Sequence, residues 1–375
     1  MRFIHTADWQ IGMRAAHVGA AAEAVRAERL KSARRTIDVA NDRTVDFLVV
    51  AGDVFEHNAV DRVWVQKVVD TLALFRGPVY IIPGNHDPLV PGSVWDHRAW
   101  QSAANLHVLT ECLPVQIDGG TLYPCPLREK HSLKDPTRWI DARQAQGIAI
   151  GIAHGTVEGV SSDELDYPIA RDAAARAGLD YLALGHWHST ATFAEAGRAI
   201  HMAYSGSHET TRFGERESGN VLLVEIDRRG SPPTLTPMRT GGLRWESPQV
   251  EVREAGDLVR VREMIEAMPE AQATLLDIRI RGLMGPETHA ELTRLDEIIR
   301  ARFLYGQVDA SELLLAPDDD RWLTELPPGV LREVAKRLQE LSHPGLTTDR
   351  PDGARPEVAR RALLELYRMS KEADS

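Results

Sequence analysis

Cysteine is nearly missing from this chain. Its 375 residues hold two, Cys112 and Cys125, too few for a disulfide scaffold or a thiolate zinc site, and buried free thiols are expected. Long apolar runs are missing too. No stretch approaches the roughly eighteen apolar residues a spanning helix needs. The chain opens on a strand-like segment at Arg2 instead of a basic region followed by an apolar one, so no secretory leader is expected and the cytoplasm is the expected compartment. Positive charge is in deficit: 44 Lys and Arg face 55 Asp and Glu, net −11. That excludes an indiscriminate polyanion-binding surface without excluding nucleic acid. Lysine is scarcer still, at six residues, the other basic groups being arginine. Repeats and low-complexity tracts are lacking, and 43% hydrophobic with 26% charged residues describes a globular protein. The length points to one large domain plus a smaller one.

What is present is a repeated pattern: a short β-branched run, a turn carrying Asp, Asn or His, then a polar stretch. The pattern predicts alternating strand and helix. Strands are expected at Arg2–Thr6, Phe47–Ala51, Val79–Pro83, Ile148–Ala153, Tyr181–Leu184, Ile200–Tyr204 and Val221–Ile226, and helices over Ala21–Asn41 and Arg62–Phe75. Leu106–Tyr123 is read as short antiparallel strands, and Ser231–Pro237, with three prolines, as a turn-rich exit. Past Pro248 the texture predicts a small α+β domain, with strands at Val250–Val252, Thr274–Arg281 and Gln307–Leu315 and helices over Asp257–Ala267 and Glu287–Arg302. Pro317–Asp320 breaks it, and helices over Gly329–Leu341 and Pro356–Met369 follow. The domains expected are therefore 1–247, 248–316 and a helical tail, 317–375.

The chemistry sits just past the apolar runs. Five turns carry it: Asp8-Trp9-Gln10, Gly52-Asp53, Gly84-Asn85-His86-Asp87, His154-Gly155 and Gly185-His186-Trp187-His188. In an α/β sheet the carboxyl ends of the strands share one edge, so these turns converge on one site. Oxygen and imidazole donors without thiolates suit Mn²⁺, Mg²⁺, Fe²⁺ or Zn²⁺. There are more donors than one tetrahedral ion needs, which favours two divalent metal ions about 3.5 to 4 Å apart.

These blocks, in this order across residues 1–208, resemble the calcineurin-like metallophosphoesterase superfamily. Its signature runs Asp-x-His, Gly-Asp, Gly-Asn-His-Asp or Glu, His, Gly-His-x-His. The opening His5-Thr6-Ala7-Asp8-Trp9, the block Ala51-Gly52-Asp53-Val54-Phe55, the Ser205-Gly206-Ser207 turn and Phe213-Gly214-Glu215 are similar to the SbcD-type DNA-repair nuclease branch. The resemblance implies a two-sheet β-sandwich flanked by helices, with a small α+β capping domain and C-terminal helices. It implies one metal on Asp8, Gln10, Asp53 and His188. Asp53 bridges to a second, held also by Asn85, His154 and His186. His86 is implied to sit beside the phosphate, and Asp87 to orient its ring. Gln10 departs from the family's histidine; a neutral, harder oxygen donor there leans selectivity toward Mn²⁺ over Zn²⁺.

Other residues rank lower. His57, Asn58 and Arg62 follow Asp53 on the same rim and are candidates for touching substrate; His208, Arg212 and Arg216 are candidates for backbone phosphates, against a reading as solvated loop. Trp9, Trp95, Trp100 and Trp187 either stack on unpaired bases or pack in the core. His5 is expected to be packed beside the site.

Three functions fit. The first is a Mn²⁺-dependent nuclease cleaving DNA, endonuclease or exonuclease, favouring single-stranded or flap segments in DNA repair. The second keeps the chemistry on nucleotides or other small phosphoesters; a phosphoprotein phosphatase would instead show Gly-Asp-x-Val-Asp-Arg-Gly. The third is a non-catalytic subunit whose C-terminal helices bind a coiled-coil, SMC-like ATPase, with Leu331, Val334, Leu338 and Leu341 on one helical face and Leu363, Leu366 and Tyr367 on another. No membrane partner is expected.

Overall fold

The apolar runs become two mixed β-sheets in a computed structural model of the chain, which describes all residues except 161–165, 195–199, 254, 285–288, 316, 318–320, 344, 346–354 and 374–375. Two compact units divide it, Met1–Trp245 and Glu246–Ser375. The first unit begins with β1 (Arg2–Thr6), α1 (Ala22–Asp42), β2 (Phe47–Ala51), α2 (Arg62–Leu72), β3 (Val79–Ile82) and β4 (Leu106–Val108). It continues through β5 (Val115–Ile117), β6 (Gly120–Pro124), β7 (Ile148–His154), α3 (Ala173–Ala177), β8 (Tyr181–Gly185), β9 (Ala191–Ala194) and β10 (Ile200–Tyr204). Its last strands are β11 (Asn220–Glu225) and β12 (Thr234–Arg239), and β13 (Arg244–Glu246) runs across the boundary.

One six-stranded sheet runs β12-β11-β1-β2-β3-β4 and the other β5-β6-β7-β8-β10-β9. Within the first, β1, β2, β3 and β4 are parallel; within the second, β6, β7, β8 and β10 are. Their inner faces share one core, including Phe3, Phe47, Val49, Ile150, Ile152, Tyr181 and Val224. Burying each such side chain contributes about 1.5 to 3 kcal/mol. Strand β2 is buried along its whole length, as a central strand covered on both faces must be. The outer face of the first sheet is closed by α1 and α2. The latter buries Val65, Val68, Val69 and Leu72, a 3.6-residue stripe, and its first turn is capped by Asp61, which accepts from the Val63 N–H at 2.9 Å. α3 covers the second sheet with Ala173, Ala174 and Ala177.

Two local expectations change. Within Leu106–Tyr123, β4 is parallel to β3 in the first sheet, while β5 and β6 pair antiparallel in the second; the chain crosses between sheets where one antiparallel set is expected. Ser231–Pro237 is not only an exit, because Thr234–Arg239 forms the edge strand β12 against β11. Proline is tolerated there since an edge strand leaves one row of N–H groups unpaired. Of the cysteines, Cys125 is buried but Cys112 is exposed.

The second unit holds β14 (Gln249–Val252), α4 (Ala255–Ala267), β15 (Thr274–Met284), α5 (His289–Arg302) and β16 (Tyr305–Leu315). β15 lies parallel to both β14 and β16, and Leu258, Ile265, Leu295 and Ile299 pack with Ile278 and Ile280. Glu287, the first residue expected in a helix, and most of the Pro317–Asp320 break lie outside the described residues. Then come α6 (Trp322–Glu325), α7 (Val330–Ser342) and α8 (Pro356–Ala373). Part of both expected helical faces is used internally, since Leu338, Leu363, Leu366 and Tyr367 gather around Trp322 and Ala335. Val330, Leu331, Val334, Val358 and Met369 stay exposed. No helix among the described residues is long and apolar enough to cross a membrane.

Candidate metal centre

Parallel strands from both sheets end on the same edge. Across it the Asp8 N–H donates to the Gly52 carbonyl at 3.1 Å, the Gln10 N–H to Asp53 at 3.0 Å and the Gly155 N–H to Gly185 at 3.2 Å. The turns are sharp: Asp8, Gln10, Asp53 and His186 all have φ between 46° and 103°, a region costing a non-glycine residue of order 1 to 3 kcal/mol. Glycine is needed between them. A methyl on Gly84 would collide with the Asp53 carboxylate and one on Gly52 with the His154 ring.

Asp8, Asp53 and His154 are buried, and each offers one ligand atom within 4.8 Å of the others. His154 Nδ1 lies 2.9 Å from the Ala51 carbonyl, so Nδ1 carries the proton and Nε2 faces inward, 3.4 Å from Asp53 Oδ2 and 2.9 Å from Asn85 Oδ1. His186 Nδ1 is 3.3 Å from that same Asn85 oxygen, and its backbone N–H donates to both Asp8 oxygens at 3.0 and 3.1 Å. Gln10 Nε2 donates to Asp53 Oδ2 at 3.4 Å. His188 is turned by Glu215, whose Oε1 takes the Nδ1 proton at 2.9 Å, leaving Nε2 as donor atom. His86 Nδ1 donates to the Glu56 carbonyl at 2.9 Å, its backbone N–H to Asp53 Oδ1 at 2.9 Å, and its Nε2 stands 4.0 Å from Asp53 Oδ2.

Charge in this cluster is unbalanced. Burial pushes the Asp8 carboxyl up against the opposing pull of His154 and His188. Burial acts the same way on Asp53, yet His154 and His86 hold it below the carboxylate range. Burial opposes a charge on His154 too, but Asp53 lifts it to about 9. For His186, burial and the neighbouring His154 bring it down to about 4. A proton on His154 thus supplies positive charge that two buried carboxylates demand. Hard oxygens and imidazoles around such a deficit fit divalent metal ions.

Not every expected residue comes to the cluster. Asp87 does not orient the His86 ring: its oxygens accept from the Phe55 N–H at 2.9 Å and the Gly84 N–H at 2.7 Å, and the Glu56 carbonyl holds the ring instead. Burial and the Asp53 charge push Asp87 up to about 7. Asn58 uses both ends of its amide, donating to Pro88 at 2.9 Å and accepting from the Val94 N–H at 3.2 Å. His57 accepts from the Ala59 N–H at 3.1 Å; His57, Arg62 and Arg212 are exposed. His208 is neither a phosphate contact nor solvated, being fully buried against Trp9 with Nε2 2.8 Å from the Arg29 carbonyl. Trp9, Trp95 and Trp100 are core residues, and His5 is buried between Tyr181 Oη, at 2.9 Å, and the Leu184 carbonyl, at 3.1 Å.

Three supporting residues escape the motif. Arg29 on α1 is buried and donates to the carbonyls of Asp8, Trp9 and Glu209, at 3.3, 3.0 and 3.0 Å for the separate nitrogens, tying the first turn to the loop after β10. Glu215 fixes His188. Asp166 accepts from Asn85 Nδ2 at 3.4 Å, so that Asn85 Oδ1 faces the histidines. Glu215 lies in the quoted Phe213-Gly214-Glu215 block, but no sequence signal names its role or that of the other two, and for Asp166 and Glu215 the partners are 81 and 27 residues away.

Comparison with known proteins agrees with this geometry. The chain is 24% identical over 319 residues to "Uncharacterized metallophosphoesterase YhaO" of Bacillus subtilis, covering 82% of this chain and 69% of that protein. It is 24% identical to "DNA double-strand break repair protein Mre11" of Archaeoglobus fulgidus, covering 84% and 75%. With the SbcD subunit of the nuclease SbcCD of Bacillus subtilis the identity is 24%, covering 93% and 95%. A family model described as "Calcineurin-like phosphoesterase" matches residues 1–190, the span that contains all five turns. The chain belongs to the calcineurin-like phosphoesterases.

Proposed function

We propose that this chain is a Mn²⁺-dependent phosphodiesterase that cleaves DNA, with preference for single-stranded or flap segments. The observation that carries the reading is the meeting of Asp8, Asp53 and His154 at one edge with His86 beside them. Asp8, Gln10, Asp53 and His188 would hold one ion, and Asp53, Asn85, His154 and His186 the other. When bound there, divalent ions would lower the pKa of water toward neutrality and offset the charge of a phosphodiester. The protein's part is orientation. The Ala51 carbonyl and Glu215 set the tautomers of His154 and His188, and Asp166 sets the Asn85 amide. The Glu56 carbonyl orients the His86 ring with Nε2 toward the site, where it would stabilise the transition-state charge or protonate the leaving oxygen. Relatives named for Mre11 and for the nuclease SbcCD support DNA over small phosphoesters.

The test is incubation with labelled single-stranded, duplex and flap DNA under Mn²⁺, Mg²⁺ and Zn²⁺, beside His86→Ala. Cleavage with Mn²⁺ that falls by 10²-fold or more in the variant is expected. Hydrolysis of a diester dye with every DNA left intact would instead favour small phosphoesters.

A partner reading has its own support. Val330, Leu331 and Val334 on α7 and Val358 and Met369 on α8 are exposed although apolar, and we infer that they receive a coiled-coil, SMC-like ATPase. Leu331→Glu with Val334→Glu should abolish co-purification with such an ATPase. Undiminished co-purification would overturn this.

A further inference from the structure

We propose that the loop over residues 128–134 seats the backbone phosphates of single-stranded DNA next to the scissile one. This rests on the nuclease reading and adds where the polymer lies. The loop leaves the site edge directly, since the Leu127 N–H donates to the Pro83 carbonyl at 3.1 Å, just ahead of Gly84 and Asn85. It is pinned there. The Ser132 N–H donates to Asp166 Oδ1 at 2.9 Å, His131 Nδ1 lies 3.1 Å from Asp166 Oδ2, and that oxygen accepts from Asn85 Nδ2. The Tyr167 hydroxyl donates to the Glu129 carbonyl at 2.7 Å, and the Tyr167 N–H to the Ser132 carbonyl at 2.8 Å. His131 is therefore two side-chain contacts from a proposed ligand while its own side chain is 73% exposed.

Charge selects the occupant. Arg128-Glu129-Lys130-His131-Ser132-Leu133-Lys134 holds two of the six lysines of a chain of net charge −11, while its Arg128 is paired with Glu111 at 3.0 Å. Among the described residues, Lys130 and Lys134 make no ion pair, and both are exposed. Cations kept unpaired at the rim of an acidic pocket do not assist that pocket's ions. They match the repeating negative charge of a strand threaded past it, and Leu133 on the same loop, 82% exposed, offers an apolar surface for a sugar or base.

The experiment measures the affinity of the full chain for a fluorescent single-stranded oligonucleotide against salt, with its KM and kcat for cleavage under Mn²⁺. Lys130→Gln with Lys134→Gln should flatten the slope of log K against log salt by about 1.4, two phosphates at about 0.7 each, and raise KM more than it lowers kcat. Lys130→Arg with Lys134→Arg should retain the slope, as should Lys67→Gln on α2. An unchanged slope in the glutamine pair, or an equal fall in Lys67→Gln, overturns the loop's role while leaving the nuclease reading intact. Absence of both DNA binding and cleavage by the unaltered chain overturns that reading and the loop with it.

Discussion

At the scale of single residues, the position that departs from its family is the most informative one. Gln10 lies in the left-handed region and reaches Asp53, so the position is built to deliver a side-chain donor whatever its identity. Gln10→His should keep cleavage and extend it to Zn²⁺, whereas Gln10→Ala should lose metal affinity, both followed by activity across a metal panel. Equal losses in the two variants would show that the backbone there tolerates neither. Glu215 is a second test. Removing the carboxylate frees the His188 ring without touching a proposed ligand atom, so Glu215→Ala should weaken Mn²⁺ binding 10- to 100-fold. Calorimetric titration with Mn²⁺ reads this directly, and an unaltered affinity would assign Glu215 to packing alone.

At the scale of elements, glycine is what lets separate turns share one site. Gly84 is not in the left-handed region, so what alanine there meets is Asp53, at both its carboxylate and its backbone nitrogen. Gly84→Ala should therefore leave the circular dichroism spectrum intact and cut the rate about a hundredfold, the effect of displacing a reacting group by about 1 Å. A rate near that of the unaltered chain would mean Asp53 can move. The five turns were legible by their number and order: one Asp, Asn or His after an apolar run is an ordinary turn residue, and five in succession are not. The longer helices were legible from the polar stretches between strands and, in α7 and α8, from their apolar stripes; α3 and α6, five and four residues long, carry too few turns to show one. Arg29 and Asp166 were not legible, and Glu215 stood in a quoted block without a role, because an arginine inside a polar helix or an acid in a loop does not declare its partner locally; their roles arise from contacts up to 181 residues distant. The split of Leu106–Tyr123 between sheets was hidden for a related reason, since strands of three residues carry too little alternation to declare a partner. Strand β12 was masked by its prolines, whose cost depends on being at an edge.

At the scale of the whole molecule, the fold encloses histidines that must stay neutral, and this sets its response to acid. His5 is fully buried, and burial, only partly offset by the Leu184 carbonyl, brings it down to about 3; His208 is lowered in the same way by burial and by Arg29. In the unfolded chain both titrate near 6.5. Above that pH neither state binds the proton and His5 contributes no pH dependence. Below it the unfolded chain takes up the proton while the folded one does not, so stability falls with pH, by up to about 1.4 kcal/mol per unit until about pH 3. At pH 5 the loss from His5 alone is about 2 kcal/mol. His154 has the opposite sign: raised to about 9, it stabilises the metal-free fold below 6.5 and loses that contribution as pH rises through 9. The two are separated by substitution. Glutamine can keep a hydrogen bond to Tyr181 or Leu184 without titrating, so the unfolding free energy of His5→Gln, from urea titrations at pH 7 and pH 5, should fall by about 2 kcal/mol less than that of the unaltered chain. If both chains lose the same amount over that interval, His5 takes up its proton inside the fold and the neutral, buried imidazole beside the metal site is disproved.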